Sequence, residues 1–210
     1  MALDFFMEHF DSTEAEAITG VSQMLQRSYR KRGYLPPQPG HSRHDLFDLA
    51  DMQFTRAMAA RGVEILLAKR FAGRVAQGIT FYALSHSDAY AGPVGVDYDL
   101  APQALAVLQR HAPMGSDCAI VVPVPFWVLW ADDTATWMPR LDGDLFERER
   151  AQKTAGPVII FDQQAAGEAL RQRAGRPLVR VSGLPHLGPS PGPTGTGLPD
   201  VASHQNAGAA

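Results

Sequence analysis

The chain has 210 residues, of which 45% are apolar, and its formal net charge is −3 at pH 7 with a pI of about 6.1. This is the composition of a globular protein with one domain or two small ones. A mildly acidic chain excludes general affinity for nucleic acids, so any such contact must be confined to a local basic patch. With a single cysteine, Cys118, the chain cannot form an intrachain disulfide framework, and a thiolate metal site is not expected.

Targeting and membrane signals are also not found in the sequence. No apolar run approaches the ~20 residues that a membrane-spanning helix needs. The acidic residues Asp4 and Glu8 stand where a signal peptide carries basic residues. We therefore expect a cytoplasmic protein with no membrane partner, and the sequence predicts neither a cofactor nor a metal.

Two short helices, 13–19 and 22–32, are the first predicted elements, and only two residues separate them. Asp11, Ser12 or Thr13 can cap the first helix, and Thr13 is followed three residues later by Glu16, which predicts a capping box with Thr13 as the N-cap residue. Ser22 is placed to cap the second helix, and Gly33 is placed to end it in a left-handed conformation. Such a pair of helices is typical of a helix-turn-helix unit.

Basic residues without acidic neighbours mark the second helix and the loop after it. The segment 22–44 contains no Asp or Glu, and its basic residues are Arg27, Arg30, Lys31, Arg32 and Arg43. Such a local cluster predicts a surface that meets phosphates. The second helix of a helix-turn-helix unit lies in the major groove, where Gln23 can read adenine and Arg27 can read guanine. Arg30 and Lys31, one turn further on, are better placed for phosphates. The alternative is a small helical bundle with a solvated basic face.

Further helices complete the N-terminal block. Prolines prevent a regular helix over 34–44, which is predicted to be a loop or a small hairpin. Asp45 is placed to cap a third helix, 46–61, and a fourth helix, 64–75, follows it. Both helices carry apolar residues at helical spacing.

Residues 79–182 alternate between strand-like and helical segments. Strand-like runs lie at 79–84, 119–124, 126–131, 157–161 and 177–181, and helical segments lie at 102–111 and 163–174. This order predicts an α/β or α+β domain. Its last strand, helix and strand fit a parallel crossover and an antiparallel arrangement equally well. From residue 183 onward Gly, Pro, Ser and Thr predominate, which predicts a disordered tail.

Residues 21–37 read VSQMLQRSYRKRGYLPP and align without a gap with a known family pattern. The run resembles the second helix of the MerR family of transcription regulators, which typically reads V-S, three variable residues, L-R-Y-Y-E, two further positions and G-L-L-P-P. The matching residues are Val21, Ser22, Arg27, Tyr29, Gly33, Leu35 and Pro36. Residues 10–75, roughly a third of the chain, resemble the winged-helix DNA-binding domain of that family. The departures are Gln26, Ser28 and Arg30, where the family has Leu, Tyr and Glu, and His44, which replaces the wing tyrosine.

The resemblance implies a transcription regulator that reads duplex DNA with its second helix and a wing, here residues 34–44. By resemblance, Arg27 and Tyr29 would contact the DNA backbone from the second helix, and Arg43 would do so from the wing. The residue types and the resemblance together predict an interface of Thr13, Ser22, Gln23, Met24, Arg27, Ser28, Tyr29, Arg30, Lys31, Arg43 and His44.

The predicted fold is therefore α+β, with four parts along the chain. They are an N-terminal extension (1–9), a four-helix winged helix-turn-helix domain (10–78), a smaller α/β or α+β sensing or oligomerisation domain (79–182) and a disordered tail (183–210). One winged helix makes few phosphate contacts, so we expect a homodimer on a two-fold DNA site. The chain has no sustained heptad repeat, so the dimer contact would fall to 79–182.

Tryptophans cluster in sequence around a carboxylate in the second domain. Trp127, Trp130, Asp132 and Trp137 could line a pocket for a cationic or planar small-molecule effector. The alternative is that these aromatic side chains pack in a core.

Binding rather than catalysis is the predicted activity, since the chain has no phosphate-cradling glycine loop and no nucleophile elbow. The sequence leaves two alternatives to a DNA-binding regulator open. One is a protein-interaction adaptor, in which the basic helix meets an acidic partner. The other is an enzyme whose C-terminal domain acts on a small molecule.

Overall fold

A computed structural model describes residues 3–37, 43–92, 100–109 and 123–182. Within these residues the protein is a mixed α+β structure with seven α-helices and three small sheets. The helices are α1 (Ser12–Thr19), α2 (Gln23–Lys31), α3 (Leu46–Ala59), α4 (Ile65–Leu84), α5 (Ala101–Gln109), α6 (Asp144–Gln152) and α7 (Gln163–Ala174). The strands are β1 (Asp4–Met7), β2 (Phe10–Asp11), β3 (Arg43–His44), β4 (Tyr90–Ala91), β5 (Phe126–Leu129), β6 (Ala135–Met138), β7 (Ile159–Asp162) and β8 (Val179–Ser182). Across the described segments, none of the helices combines the length and the apolar character needed to cross a bilayer.

The first helix begins one residue earlier than predicted, at Ser12, and its N-cap residue is Asp11 instead of Thr13. The Asp11 carboxylate accepts hydrogen bonds from the backbone N–H groups of Thr13 and Glu14. The Glu14 carboxylate accepts in return from the Asp11 N–H at 2.8 Å. The capping box is therefore Asp11 with Glu14, and the predicted box starting at Thr13 is wrong. The reason is tertiary, because Asp11 ends a strand that pairs with β3, so the helix starts where that strand stops.

The second helix has the ends that the sequence predicts. The Ser22 hydroxyl accepts a hydrogen bond from the Leu25 N–H at 3.3 Å, as an N-cap side chain does. Gly33, just past the helix, has a φ of 73°. This left-handed conformation is one that glycine adopts without a steric penalty. The boundaries of α2 therefore follow from local sequence.

The fourth helix is much longer than predicted. Asp45 caps α3 as expected, but α4 continues for 20 residues to Leu84. The strand predicted for 79–84 is therefore wrong, and the predicted domain boundary after residue 78 lies inside a helix. Buried residues recur through α4 at helical spacing, at Ala68, Ala72, Val75, Ala76, Ile79 and Ala83.

The strands form separate small sheets rather than one. In one sheet β5 lies between β6 and β7, antiparallel to both. In another, β8 pairs antiparallel with β1 and parallel with β4. The strands on either side of α7 thus belong to different sheets, so neither a parallel crossover nor an antiparallel pair forms between them. The elements β1, β2, β4, β6 and α6 had no counterpart in the sequence prediction.

The N-terminal helices and the C-terminal elements share one hydrophobic core. Phe54 of α3 contacts Trp127 of β5 and Phe161 of β7, each with ring centroids 5.1 Å apart and nearly perpendicular planes. Helix α7, which begins and ends as predicted, packs on α4 and also contacts α1 and α3. Residues 126–182 therefore pack directly against the N-terminal helices.

Some predictions fall on residues outside the described ranges. These are Cys118, most of the 119–124 strand, the last two residues of the 102–111 helix, the centre of the 34–44 loop and the tail from residue 183.

Candidate nucleic-acid interface

Helix α2 has one buried side and one exposed side. Gln26 and Tyr29 point inward and are 0% and 3% exposed. On the opposite side Met24, Arg27 and Lys31 are exposed, at spacings of three and four residues. The Met24 side chain is 78% exposed, which is unusual for a large apolar residue. The sequence thus places an apolar side chain and two cations together on the outer face.

The cations on this face have no carboxylate partner within the described part of the chain. None of Arg27, Lys31 and Arg32 forms an ion pair there. Lys69 of α4 pairs with Asp51 of α3, whereas the described Arg side chains of α3 and α4 contact backbone carbonyls or aromatic rings instead of a carboxylate. The outer face of α2 therefore carries positive charge that the described residues do not neutralise.

The amino end of α2 is different, because an acidic side chain lies there. The Glu16 carboxylate of α1 accepts a hydrogen bond from the Gln23 N–H at 3.3 Å. The Gln23 side chain donates to the Thr13 hydroxyl at 3.2 Å. The structure thus brings the predicted site residues Thr13, Ser22 and Gln23 together at this end. It also holds the Gln23 amide, the candidate base-reading group, against α1.

Two predicted interface residues lie inside the protein. Tyr29 packs its ring edge-on against Tyr34, with centroids 6.0 Å apart, and burial raises the pKa of the Tyr29 hydroxyl. His44 is 1% exposed. Neither side chain presents a surface to a duplex, so we remove both from the candidate interface. Ser28 is partly buried on the same helix.

Arg30 is also drawn inward, by a buried group of polar side chains. One Arg30 guanidinium nitrogen lies 2.7 Å from Nε2 of His44, and Oε1 of Gln26 lies 3.2 Å from the same atom. Nδ1 of His44 lies 3.7 Å from an Asp48 carboxylate oxygen of α3. Burial lowers the pKa of Arg30, and the nearby Asp48 carboxylate opposes this effect. We call Gln26, Arg30, His44 and Asp48 the buried polar joint.

Sequence reasoning missed two members of this joint, Gln26 and Asp48. A signal existed, because Gln26 and Arg30 are departures from the family pattern that lie four residues apart on α2. Residues at this spacing share one helix face. Gln26, a polar residue where the pattern has leucine, and Arg30 lie on the face that carries the buried Tyr29, which indicates a polar interior contact.

The last predicted interface residue, Arg43, lies on the surface. It pairs with Asp11 in the two-residue ladder of β2 and β3, while His44 pairs with Phe10. Neighbouring residues of a strand point to opposite sides. Arg43 is exposed and His44 is buried, as this alternation requires.

The tryptophans of the predicted effector pocket belong to two separate apolar clusters. Trp127 is 0% exposed and packs with Phe54 in the core, and Trp137 is its cross-strand neighbour on β6, with the Arg74 guanidinium 4.2 Å from the Trp137 ring centroid. Trp130 belongs to a second apolar cluster with Val128 and Met138. The three tryptophan side chains therefore pack within apolar clusters.

Asp132, the carboxylate of that predicted pocket, is exposed in the turn between β5 and β6. Hydrogen bonds from the Thr134 hydroxyl and the Thr134 N–H lower the pKa of the Asp132 carboxyl. A cleft of about 360 Å³ does lie nearby, between the α3–α4 turn and this hairpin. Of the four predicted residues, only Trp130 lines it. Within the described residues, no group of three or more His, Cys, Asp and Glu side chains could hold a metal ion.

Comparison with known proteins identifies no relative of the chain. No protein-family model, no curated protein and no solved structure matches the chain.

Proposed function

We propose that the protein is a DNA-binding transcription regulator that reads duplex DNA with the outer face of α2 and the 34–44 wing. The observation that carries this proposal is the set of exposed cations Arg27, Lys31 and Arg32, which have no carboxylate partner among the described residues. Charge left unneutralised on one helix face is suited to phosphates, since releasing counterions from DNA favours binding.

The support beneath α2 is consistent with such a role. Gln26 and Tyr29 are buried against the N-terminal helices, so α2 is held along its inner side. The backbone of a helix fixed in this way is already ordered, so binding costs only the ordering of its outer side chains. Arg27 is placed for a base edge or a phosphate, and Lys31 and Arg32 at the carboxyl end are placed for phosphates.

Two copies of the chain would act together in this proposal. One helix and one wing offer few phosphate contacts, and specific operators are typically read by dimers on two half-sites. A small-molecule effector would then be a further partner that alters DNA binding.

The test is a DNA titration with a matched control. A duplex enriched from a random pool by the wild-type protein is titrated by fluorescence anisotropy at several salt concentrations. We expect Arg27→Ala to weaken binding by about 1–3 kcal/mol. Arg148→Ala is the control, because Arg148 is exposed and is the fifth residue of nine-residue α6, as Arg27 is of nine-residue α2.

The salt dependence is an independent measure of the same contact. Each neutralised phosphate adds roughly 0.9 to the log–log slope, so a slope of several units is expected for wild type. A flat slope, or equal losses in the two arginine variants, would count against DNA as the partner. Failure of a well-folded protein to enrich any duplex would favour the protein-interaction adaptor instead.

A further inference from the structure

We propose that His44, as the neutral imidazole with its hydrogen on Nδ1, is the positioning residue that joins the wing strand β3 to α2 and orients Arg43 outward. This inference rests on the proposed DNA-binding function for its consequence, but its structural part stands on the buried polar joint alone. His44 is 1% exposed at the end of the wing, between residues of α2 and α3.

Two hydrogen bonds fix the orientation of the Gln26 side-chain amide. Its nitrogen donates to the Ser12 carbonyl at 3.0 Å and to the Val21 carbonyl at 2.9 Å. Both amide hydrogens are thereby used. The Gln26 oxygen is therefore the atom that faces His44, and it can act only as an acceptor there.

The hydrogen position on His44 follows from its two neighbours. Nε2 lies 2.7 Å from the Arg30 guanidinium, which can only donate, and 3.2 Å from the Gln26 oxygen, which can only accept. Nε2 can satisfy just one of them. The shorter contact involves a charged donor, and charge-assisted hydrogen bonds are the stronger kind. Nε2 is thus the acceptor for Arg30, and the ring hydrogen lies on Nδ1. Nδ1 is 3.7 Å from an Asp48 carboxylate oxygen, an electrostatic contact that is too long for a hydrogen bond, so Nδ1 is buried without a hydrogen-bond partner among the described residues.

This joint links elements that are separate in sequence. Arg30 and Gln26 belong to α2, Asp48 belongs to α3, and the Ser12 carbonyl belongs to the start of α1. Among the described residues, His44 is the hydrogen-bond acceptor for the Arg30 guanidinium, whose Nε is buried without a partner. Removing the imidazole would leave a partly buried cation without an acceptor, which is costly. Arg30 would then turn toward solvent, and the contact between β3 and α2 would be lost.

The consequence for the wing follows from strand geometry. Because His44 points inward, its neighbour Arg43 must point outward in a paired strand. A wing that is free at β3 would lose this direction and would have to be ordered again on binding. Such ordering costs free energy and weakens affinity.

The experiment compares two variants of the full-length protein with wild type. His44→Gln keeps an amide oxygen that can accept from Arg30, whereas His44→Leu has a similar volume and no acceptor. Three properties are measured. The His44 ring nitrogen resonances of the wild type are recorded by NMR, and amide hydrogen exchange is followed at residues 43–46. Affinity for the selected duplex is measured at a temperature well below the thermal transition of each variant.

We expect a protonated Nδ1 and an unprotonated Nε2 in the wild type. His44→Leu should exchange faster at residues 43–46 and bind the duplex roughly tenfold more weakly, the effect of losing one hydrogen bond to a charged group. His44→Gln should restore most of both properties. A hydrogen on Nε2, or a His44→Leu variant that matches wild type in exchange, would overturn the inference. If wild type binds no duplex, the proposed function fails, while NMR and exchange still decide the role of His44.

Discussion

The backbone of Gly167 in α7 lies directly against the carbonyl group of Ile79 in α4. A Cβ atom built on Gly167 would be 2.6 Å from the Ile79 oxygen and 2.7 Å from the Ala83 nitrogen. Real Cβ atoms do not approach backbone atoms so closely, so only glycine allows this helix crossing. The residues that Gly167 meets belong to the segment 79–84, which is predicted as a strand from the sequence but is helical in the structure.

Gly167→Ala should therefore destabilise the protein. Overpacking against backbone atoms costs about 1–3 kcal/mol, and alanine recovers about 1 kcal/mol as the better helix former. The difference is a net loss of about 0–2 kcal/mol, and because the close contacts are to backbone atoms, which cannot move aside, we expect the upper half of this range in urea unfolding. Gln164→Ala on the exposed side of the same helix is the control and should stay within about 0.5 kcal/mol of wild type. A Gly167→Ala variant as stable as wild type would show that α7 does not pack this closely.

Lys69→Met should destabilise the protein, because it leaves the Asp51 carboxylate without its cationic partner. The Lys69 ammonium lies 2.7 Å and 2.5 Å from the two Asp51 oxygens, and the side chains are 19% and 22% exposed. Removing one partner of a buried pair leaves the other charge uncompensated. Since both side chains keep some solvent, we expect a loss on the order of 2–3 kcal/mol at neutral pH, below the fully buried value. The double variant Asp51→Asn with Lys69→Met should recover much of it.

The Lys69→Met deficit should also depend on pH in a defined direction. Burial raises the pKa of the Asp51 carboxyl, and Lys69 opposes that rise. A carboxyl whose folded pKa is above its unfolded value binds protons more tightly in the folded state, so stability falls as pH rises between the two values. The Lys69→Met deficit should shrink as the pH is lowered through the raised pKa of Asp51. A deficit that grows on acidification, measured by urea unfolding across this range, would contradict the assignment.

Arg176→Ala should weaken the contacts that Arg176 makes with residues 8–14 near the N-terminus. The Arg176 guanidinium lies 4.2 Å from the Phe10 ring centroid, donates to the His9 carbonyl at 2.8 Å and pairs with Glu8 and Glu14. A cation–π contact with a small charge network contributes about 1–2 kcal/mol. Arg180→Ala is the matched control, since Arg180 also pairs with Glu8 but is 65% exposed, and isolated exposed pairs contribute little. Equal losses in thermal unfolding would argue that Glu8 alone matters.

Phe54→Ala should disrupt the core shared by the helices and the β5 sheet. Phe54 is 0% exposed and contacts both Trp127 and Phe161. Truncating a buried phenylalanine costs about 3–5 kcal/mol, and tryptophan fluorescence should report the same single transition as circular dichroism. Phe6→Ala, on a side chain 54% exposed, should cost less than about 1 kcal/mol. Separate transitions for the two probes in wild type would mean that these parts unfold independently.

The sequence by itself determined the elements whose signals are local. Helix α2 begins at Ser22 because that hydroxyl satisfies an N–H three residues away, and it ends before Gly33 because glycine accepts a left-handed conformation. Asp45 and Asp162 act in the same way for α3 and α7. The exposed cations of α2 were also readable, since helical spacing separates them from the buried side. Each of these signals acts over four residues or fewer.

Tertiary structure alone decided the features that depend on distant residues. The run 79–84 is apolar and short, so its composition fits a strand and a helix equally, and its contact with Gly167 of α7 comes from a segment far along the chain. Among the possible caps of α1, Asp11 is the one used, because it ends the strand β2 that pairs with β3. His44 looked like a surface residue of a wing, yet acceptors and donors from α2 and α3 surround it inside the protein. Local preference cannot specify such contacts, because burial and hydrogen-bond partners are set by what the rest of the chain places nearby.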